Sequence, residues 1–466
     1  MKKMISAMLS LVIFISVFLF AFPAEAAVYV PDVDIYAEAY MLINLDDSDY
    51  PVVAQKNPDK MMYPASLTKI VTSMVVLENV ADLSQSVTAS QASYDILLGT
   101  GAQVADIRPG DVLTVEQLLY LTMVFSACDA AEILAEHVGG TRENFLVMMN
   151  NYVASLGCES THFTNPDGLH DDDEYTTASD LAKISIAAMK NDTFMKIATT
   201  PRYVYDGVAY YHTNVMLNPA YVSYYYEYAE GIKTGSTSKA GYCVITKASK
   251  DGYNYLAIVL GSPLLDYNDD GYDERCSFID AGSLFKWAFN SLKFSTVFEE
   301  GEIVTDIPVE DGKDKDTVQL VANTKVTSIV PSSFDKSTVI MDYKDKPDHL
   351  TAPVKKGDFV CKANVIYGGE IIAEVDLVAA EDVELSTFLK IINGIKYLFS
   401  LTVVKIIVLL LIAFVIIYAI LVANSVKKGK KKKKTRDETY RDRENYDGYN
   451  GDPFDDLPPP APKYRS

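Results

Sequence analysis

The sequence predicts an α+β protein with a small all-β domain and one membrane-spanning helix. Residues 66–190 contain runs of apolar residues at helical spacing, and short apolar strands follow over residues 242–261. After about residue 300, β-like runs alternate with turns that contain glycine. An uncharged apolar run from Ile406 to Ala423 is long enough to cross a membrane. These observations set the predicted order of domains.

Composition limits the classes of protein to which the chain can belong. Its 466 residues, with 49% apolar and 23% charged, indicate two or three domains and a mostly folded chain. The five cysteines contain no C-x-x-C pair and are too few for a disulfide scaffold. The five histidines form no H-E-x-x-H pattern, so we expect no metal and no cofactor. The net charge of −21 disfavours nucleic acid as a partner.

The N-terminus has the pattern of a secretory signal peptide. Lys2 and Lys3 precede a short apolar run over residues 9–22, and the sequence A-E-A at residues 24–26 supplies a cleavage site. The alternative is an uncleaved anchor helix, which is disfavoured because this run is too short to span a bilayer comfortably. Residues 1–26 are therefore predicted to be a signal peptide.

The C-terminal part has the pattern of a single membrane span. A transmembrane helix is predicted over residues 399–423, after an amphipathic segment over residues 386–398. Residues 427–466 hold 12 Lys and Arg against 8 Asp and Glu, and the lysines cluster directly after the span. The positive-inside rule then predicts that residues 424–466 form a basic and then disordered cytoplasmic tail. The chain is thus expected in the cell membrane, with residues 27–398 on the extracellular face.

The outer part is predicted to contain a mixed domain over residues 27–295 and an all-β domain over residues 300–385. The mixed domain opens with a hairpin whose strands, Tyr40–Asn44 and Val52–Gln55, flank an acidic turn. A capping box at Thr114-x-x-Gln117 predicts the start of one of its helices. The predicted helices are 66–79, 114–125, 130–138, 142–156, 179–190 and 283–292, and the predicted buried strands are 242–246 and 253–261.

Three short motifs carry groups that can perform chemistry together. Ser66-Leu67-Thr68-Lys69 places a hydroxyl and an amine on one face of a helix start, where the amine can activate the hydroxyl. Ser126-Ala127-Cys128 adds a hydroxyl at the junction of two predicted helices. Lys233-Thr234-Gly235-Ser236-Thr237, just before a predicted strand, adds a cation, hydroxyls and a glycine that lets a ligand approach the backbone. Each motif alone is weak evidence, whereas the ordered set predicts a site.

This ordered set resembles the S-x-x-K, S-x-N and K-T-G motifs of penicillin-binding proteins and serine β-lactamases. The flanking residues, including Pro64-Ala65 and the run His162-Phe163-Thr164-Asn165-Pro166-Asp167-Gly168-Leu169, resemble low-molecular-mass D-alanyl-D-alanine carboxypeptidases of peptidase family S11. The resemblance covers residues 30–290 specifically and residues 300–385 weakly. It implies an antiparallel sheet with helices on both faces, an all-β stalk and a C-terminal membrane attachment.

The resemblance also implies that an acyl-enzyme removes the terminal D-alanine from peptidoglycan stem pentapeptides. Ser66 would be the nucleophile, Lys69 its proton acceptor, kept neutral partly by repulsion from Lys233, and Ser126 a proton relay. The backbone N–H groups of Ser66 and Ser236 would form the oxyanion hole. β-Lactam antibiotics would act as acylating inhibitors. The substrate-binding residues would be Lys233, Thr234, Gly235, Ser236, Thr237 and Cys128.

One position departs from the family pattern, because Cys128 stands where the second motif normally has asparagine. A thiol is a poor hydrogen-bond donor and acceptor compared with a carboxamide. Three interpretations remain open. Cys128 is a tolerated variant, or it impairs the site so that the protein mainly binds the cell wall as a scaffold, or it is a redox-sensitive thiol.

Further alternatives concern the reaction and two loops. A class A β-lactamase is less favoured, because no E-x-x-L-N motif lies between Ser126 and Lys233. The acidic loop at residues 266–271 matches the first half of a calcium-binding loop, but Ser277 stands where an EF-hand has glutamate. Nine tyrosines between Tyr203 and Tyr228 either line the substrate groove or form a separate small core.

Overall fold

The computed structural model describes residues 27–268 and 271–444, which fold into two compact units. The first unit contains the described residues up to Ile307, together with residues 318–348 and 355–381. The second contains residues 308–317, 349–354 and the described residues from 382 onward. The predicted signal peptide, part of the acidic loop at 266–271 and the end of the predicted tail lie outside the described residues.

The regular elements of the chain have the following bounds. The helices are Thr68–Asn79, Gln91–Asp95, Val115–Tyr120, Cys128–Gly139, Arg142–Ser155, Ala178–Met189, Asp192–Ala198, Cys276–Ser291, Thr387–Ser400 and Thr402–Glu444. The strands are β1 (Ala39–Asn44), β2 (Val52–Lys56), β3 (Ser86–Thr88), β4 (Val112–Thr114), β5 (Arg202–Tyr205), β6 (Val208–Tyr211), β7 (Ala229–Thr237), β8 (Gly241–Lys250), β9 (Tyr253–Ser262), β10 (Leu264–Leu265), β11 (Glu274–Arg275), β12 (Leu292–Phe298), β13 (Ile303–Glu310), β14 (Thr317–Ala322), β15 (Val326–Pro331), β16 (Ile340–Lys344), β17 (Leu350–Thr351), β18 (Phe359–Tyr367) and β19 (Glu370–Ala379).

A five-stranded antiparallel sheet in the order β2-β1-β9-β8-β7 forms the centre of the first unit. Because side chains alternate along a strand, each face of the sheet buries its own apolar set. Met41, Ile43 and Ile258 pack against most of the helices on one face. Leu42 and Val259 pack against the helix Cys276–Ser291 on the other face. The predicted α+β fold, with helices on both faces of an antiparallel sheet, is confirmed.

In the segment from Thr114 to Ser126, a capping box begins a helix and a left-handed residue ends the π-helical stretch that follows it. Thr114 caps Val115–Tyr120 through the predicted capping box, with reciprocal hydrogen bonds to Gln117. A five-residue π-helical stretch, Leu121–Phe125, follows in place of the single regular helix expected over 114–125. It ends at Ser126, whose backbone has a left-handed conformation with φ of 66°. Such π-helical segments are frequent at functional sites.

Several predicted boundaries need correction. The K-T-G segment precedes β8 as expected, but it lies inside an edge strand, β7, that was not predicted, and the helix expected at 283–292 begins at Cys276. Apolar and polar side chains do not alternate regularly along β7, because Gly231, Gly235 and several polar residues interrupt the pattern. The short hairpin β5–β6 lies in the tyrosine-rich segment 203–228, for which a β-rich excursion was one alternative and no strand bounds were predicted.

The all-β part begins directly after the helix Cys276–Ser291. Strand β12 pairs antiparallel with β15, so the predicted boundary at 295–300 falls inside β12. Strands β16, β18, β19 and β14 pair antiparallel in that order and complete this part of the first unit. The predicted all-β domain is therefore present after the mixed domain, and it begins a few residues earlier than expected.

The second unit carries the apolar C-terminal helices. Thr387–Ser400 exposes apolar side chains such as Phe388 and Ile391, as expected for the amphipathic segment. Within the described residues, one stretch is long and apolar enough to cross a membrane, namely Thr402–Lys430 with mean hydropathy 3.4. The helix continues to Glu444, which lies within the tail predicted over residues 424–466. Lysine, arginine and glutamate favour helix, which explains the extension.

Candidate active site

The hydroxyl and the amine of the first motif lie together at the start of a helix. Ser66 sits in a single 3₁₀ turn, Ala65–Leu67, which leads directly into the helix Thr68–Asn79. The Lys69 amine, Nζ, lies 3.1 Å from the Ser66 hydroxyl, Oγ. Lys69 is completely buried, whereas Ser66 is half-buried. The hydroxyl is thus accessible while its amine partner is shielded from water.

The Lys69 amine has three hydrogen-bond partners. Besides Ser66, it donates to the Sγ atom of Cys128 at 3.4 Å and to the backbone carbonyl of Asp167. Three partners match the three hydrogens of an ammonium group. In the deprotonated amine, two hydrogens remain for Cys128 and Asp167, and the free lone pair can accept the proton of Ser66. The geometry therefore suits proton transfer between Ser66 and Lys69.

A second hydroxyl–amine pair joins the other two motifs. The amine of Lys233 donates to the Ser126 hydroxyl at 2.9 Å and to the carbonyl of Thr234 at 2.9 Å. Lys233 is completely buried, and the pKa of its amine is lowered well below the usual value, first by burial and then by the charge of Lys69. The family resemblance implied that repulsion from Lys233 acts on Lys69, whereas the lowered pKa belongs to Lys233.

Strand β7 closely approaches the turn that carries Ser66 through a glycine, Gly235. A Cβ atom added to Gly235 would lie 2.9 Å from the carbonyl oxygen of Pro64 and 3.1 Å from the backbone nitrogen of Ser66. Only glycine permits this contact without displacing the backbone. The third motif is therefore held directly against the first.

The hydroxyls of the third motif have different environments. Thr234 donates to the Thr213 hydroxyl at 2.7 Å, and Thr237 accepts a hydrogen bond from the backbone of Ala240 at 3.0 Å. Ser236 is exposed. Because β7 is an edge strand of the sheet, its outer side is open to an extended ligand.

The three motifs surround one cavity of about 300 Å³. Seven of the predicted site residues line it, namely Ser66, Ser126, Cys128, Thr234, Gly235, Ser236 and Thr237. Lys69 and Lys233 lie behind this wall and reach its hydroxyls by hydrogen bonds. A slightly larger cavity of about 350 Å³ beside Asp47 and Lys325 contains none of these residues. The 300 Å³ cavity is the candidate site because of the hydroxyl and amine groups around it, and not because of its size.

Three further residues at the site were not assigned a role from the sequence. Thr213 and Arg275 line the cavity, and the guanidinium of Arg275 lies 5.7 Å from the ring centroid of Tyr242. The carbonyl of Asp167 holds the Lys69 amine. Asp167 belongs to the run at residues 162–169, which gave a signal as part of the family resemblance. No motif marks Arg275.

A buried histidine beside the site is neutral. Nδ1 of His212 accepts a hydrogen bond from the backbone of Asn214 at 2.9 Å, so Nε2 carries the proton and donates to the carbonyl of Ala198 at 3.0 Å. Burial and the nearby charge of Lys233 lower the pKa of His212 to about 3. His212 is therefore a structural group and not a general base.

Two alternatives from the sequence are not supported. Burial raises the pKa of the Cys128 thiol, and the charge of Lys69 opposes that rise only in part. A thiol of this kind lacks the thiolate character that a redox sensor needs. The predicted tyrosine lining of the groove is wrong, because Tyr203 stacks on Tyr120 and Tyr226 on Phe285, and none of the nine tyrosines lines the cavity.

Comparison with known families gives two matches that together cover most of the chain. A family described as D-alanyl-D-alanine carboxypeptidase, peptidase S11, matches residues 24–263. The C-terminal domain of penicillin-binding protein 5 matches residues 293–385. The first match covers the five-stranded sheet and the motifs, and the second covers the all-β part.

Curated relatives match this chain over most of their own length. D-alanyl-D-alanine carboxypeptidase DacF of Bacillus subtilis is 24% identical over 392 residues, which cover 84% of this chain and 96% of the relative. DacC of Escherichia coli is 29% identical over 373 residues, which cover 78% of this chain and 88% of the relative. A D-alanyl-D-alanine carboxypeptidase of Streptomyces sp. K15 is 34% identical over 224 residues, which cover 44% of this chain and 75% of the relative.

Solved structures agree with these matches. Penicillin-binding protein 5 from Haemophilus influenzae has 26% identity and a TM-score of 0.56, covering 76% of this chain and 100% of that protein. The Streptomyces K15 DD-transpeptidase has 30% identity and a TM-score of 0.50, covering 56% of this chain and 99% of that protein.

Proposed function

Because this chain belongs to the D-alanyl-D-alanine carboxypeptidase family, peptidase S11, we propose that it removes the terminal D-alanine from peptidoglycan stem pentapeptides. The observation that carries this proposal is the pair of hydrogen-bonded hydroxyl–amine couples, Ser66 with Lys69 and Ser126 with Lys233, at one cavity. One couple supplies an activated nucleophile, and the other can deliver a proton to a leaving group. A serine hydrolase that works through an acyl-enzyme needs both.

The first half of the reaction forms an ester on Ser66. The neutral amine of Lys69 takes the hydroxyl proton while Oγ attacks the carbonyl carbon between the two terminal D-alanines. The backbone N–H groups of Ser66 and Ser236 stabilise the oxyanion, and one such donor is worth about 3 kcal/mol in other hydrolases. The C–N bond then breaks as Ser126 donates its proton to the departing amine of D-alanine. The proton that Lys69 took from Ser66 then restores the Ser126 hydroxyl, so that Lys69 is again a neutral amine in the acyl-enzyme.

The second half of the reaction releases the shortened peptide. A water molecule attacks the ester carbonyl and loses a proton to the neutral amine of Lys69. Lys69 then donates that proton to the Ser66 oxygen as the ester bond breaks. The products are free D-alanine and a tetrapeptide, and the protein returns to its starting state. No metal or cofactor enters either half of the reaction.

The substrate is held at its negative end by cationic and hydroxyl groups. Thr234 and Thr237 on the cavity wall bind the terminal carboxylate, with the charge of Lys233 behind them, and Arg275 supplies a further cation on the wall. The lowered pKa of Lys233 supports this role, because an arriving carboxylate stabilises the ammonium form that burial disfavours. The peptide extends along the open edge of β7, as an added strand. β-Lactams acylate Ser66 in the same cavity.

The alternative of a catalytically impaired wall-binding protein rests on Cys128. Its thiol contacts Lys69 in place of a carboxamide and leaves both hydroxyl–amine couples intact, which favours a working enzyme. A class A β-lactamase is the less favoured alternative, since its water-activating motif was not found in the sequence.

Attachment to the outer face of the membrane completes the proposal. The apolar helix that begins at Thr402 supports a single span, and the lysines that follow it support a cytoplasmic tail. The exposed apolar side chains of Thr387–Ser400 support contact with the membrane surface. The mixed domain over 27–295 and the all-β domain over 300–385 then lie on the extracellular side, where peptidoglycan is found.

The full-length protein in detergent, incubated with a stem pentapeptide, tests the proposed activity. Mass spectrometry should show loss of one alanine residue from the peptide and release of D-alanine. The variant Ser66→Ala should release none. Acylation by penicillin without any D-alanine release would support the impaired wall-binding protein, and cleavage by Ser66→Ala would contradict the mechanism.

A further inference from the structure

A buried carboxyl group, that of Glu174, lies behind the nucleophile and has no role in the proposed reaction. Only 1% of the residue is exposed. Its Oε1 atom lies 2.9 Å from the Thr68 hydroxyl, and its Oε2 atom lies 3.4 Å from the Nδ2 atom of Asn165. Thr68 belongs to the first motif, between Ser66 and Lys69. A carboxyl placed there costs free energy unless it stays neutral or finds a compensating partner.

The hydrogen atoms around Thr68 indicate which form Glu174 takes. The Thr68 hydroxyl oxygen lies 2.9 Å from the carbonyl oxygen of Ala65 and 2.9 Å from Oε1 of Glu174. One hydroxyl has a single hydrogen and cannot donate it to both oxygens. If Glu174 is protonated, it donates to Thr68, and Thr68 donates to Ala65. Both short contacts are then hydrogen bonds.

The charges around Glu174 agree with the neutral form. Burial is the main cause that raises the pKa of Glu174, to about 8, and the negative charge of Asp167 adds to it. The hydrogen bonds from Thr68 and Asn165 and the charge of Lys69 act in the opposite direction. These groups, from the helix Thr68–Asn79 and the loop at 165–174, are the ones that face the carboxyl group.

Glu174 is connected to both partners of the Ser66–Lys69 couple. Through Thr68 it holds the turn that carries Ser66. Through Asn165 it holds the loop that binds the Lys69 amine, because Asn165 Oδ1 accepts from the backbone of Asp167 at 3.3 Å and of Gly168 at 2.6 Å. The carbonyl of Asp167 then accepts from Lys69.

We propose that Glu174 is a positioning residue whose protonated carboxyl group holds the Ser66 turn and the Asp167 loop in the arrangement that acylation requires. This inference rests on the proposed function. Loss of the proton from Glu174 forces its oxygen to compete with Ala65 for the Thr68 hydrogen. It also adds a negative charge to the buried region that contains Lys69 and Asp167.

Acylation by a fluorescent penicillin between pH 6 and pH 10 tests this inference. In the wild type, the rate should be about tenfold lower at pH 9 than at pH 7, the change expected for one essential proton with a pKa of about 8. Glu174→Gln keeps a donor for Thr68 and an acceptor for Asn165 and carries no proton to lose, so its rate should stay level over this range. Glu174→Ala should be slower at every pH.

A matched control and a stability measurement make the outcome decisive. Glu136 also accepts a hydrogen bond from a hydroxyl, that of Ser90, but it lies outside the cavity, so Glu136→Gln should keep the wild-type pH profile. Because the folded pKa of Glu174 lies above its unfolded value, its contribution to stability is complete below about pH 4.5 and is lost as the pH rises through 8. The melting temperature of the wild type should therefore fall relative to that of Glu174→Gln between pH 6 and pH 9.

The possible failures are distinguishable. A wild-type protein that is not acylated at all contradicts the proposed function. In that case the melting temperatures of the wild type and Glu174→Gln still test whether Glu174 is protonated. Acylation of Glu174→Gln with the wild-type alkaline decline, or of Glu174→Ala at the wild-type rate, overturns the positioning role. Equal pH dependence of the melting temperatures in wild type and Glu174→Gln overturns the protonated form.

Discussion

At the scale of single residues, the two buried lysines contact different groups of the candidate site. Lys69 contacts the nucleophile, and Lys233 contacts the second hydroxyl and the region proposed for the substrate carboxylate. Burying two amines near each other disfavours holding both as ammonium groups, which is why the pKa of Lys233 is lowered. A substrate with a negative terminus offsets this penalty, so binding and chemistry are coupled through charge.

Cys128 is the residue at which the chain departs from its family's motif. Its Sγ atom makes one weak contact with Lys69, and a carboxamide would make a stronger one. Since one hydrogen bond is worth about 1 kcal/mol, Cys128→Asn should change D-alanine release by less than about tenfold. Cys128→Ala, which removes the partner, is the matched control. A rise of several orders of magnitude in Cys128→Asn would show that the natural site is impaired.

At the scale of elements, the sequence predicted the helices and strands in which apolar side chains recur at a regular spacing or a local capping motif is present. The hairpin β1–β2 and the capping box at Thr114 are confirmed, because alternation and capping are local properties. The edge strand β7 was not predicted, since its glycines and polar residues serve contacts with the first motif and not a buried face. The π-helical turn before Ser126 also follows from tertiary packing and leaves no local pattern.

In the candidate site, too, only the residues that belong to a local sequence motif could be predicted. Nine site residues were named from three motifs and a resemblance, and the structure brings all nine to one cavity or into hydrogen bonds with its wall. Arg275 and Glu174 could not be named, because each reaches the site from a distant part of the chain without a motif. Their placement depends on the tertiary fold.

The loop that holds Lys69 depends on one glycine. Gly168 has φ of +77°, and a Cβ atom there would lie only 2.0 Å from the carbonyl oxygen of Ala65. Gly157 has nearly the same φ, +74°, but open space around it. Both substitutions to alanine carry the left-handed penalty of about 1–2 kcal/mol. Only Gly168→Ala should also slow acylation by penicillin, by about 100-fold, because it displaces the turn that carries Ser66.

Melting temperatures provide the check on these two variants. Gly157→Ala should lose stability and keep its acylation rate. Equal acylation rates in the two variants would show that the contact between Gly168 and Ala65 does not position the nucleophile.

At the scale of the whole molecule, the chain has an acidic larger part and a basic C-terminal end. The net charge is −21 although residues 427–466 carry more Lys and Arg than Asp and Glu. The apolar helix lies between the two parts. This asymmetry supports the proposed orientation, since translocated and retained segments differ in their content of lysine and arginine.

Protease treatment of intact cells checks this orientation. Residues 27–398 should be digested, whereas an epitope placed after the lysine cluster should stay intact until the membrane is opened. The reason is that the bilayer shields the tail. Digestion of that epitope in intact cells would reverse the topology.

Mapping the residue that a labelled penicillin acylates tests the central claim most directly. The full-length protein should carry one label, on the peptide that contains Ser66, and Lys69→Ala should take up the label far more slowly because the nucleophile has lost its base. A label on any other residue, or undiminished labelling of Ser66→Ala, would contradict the account.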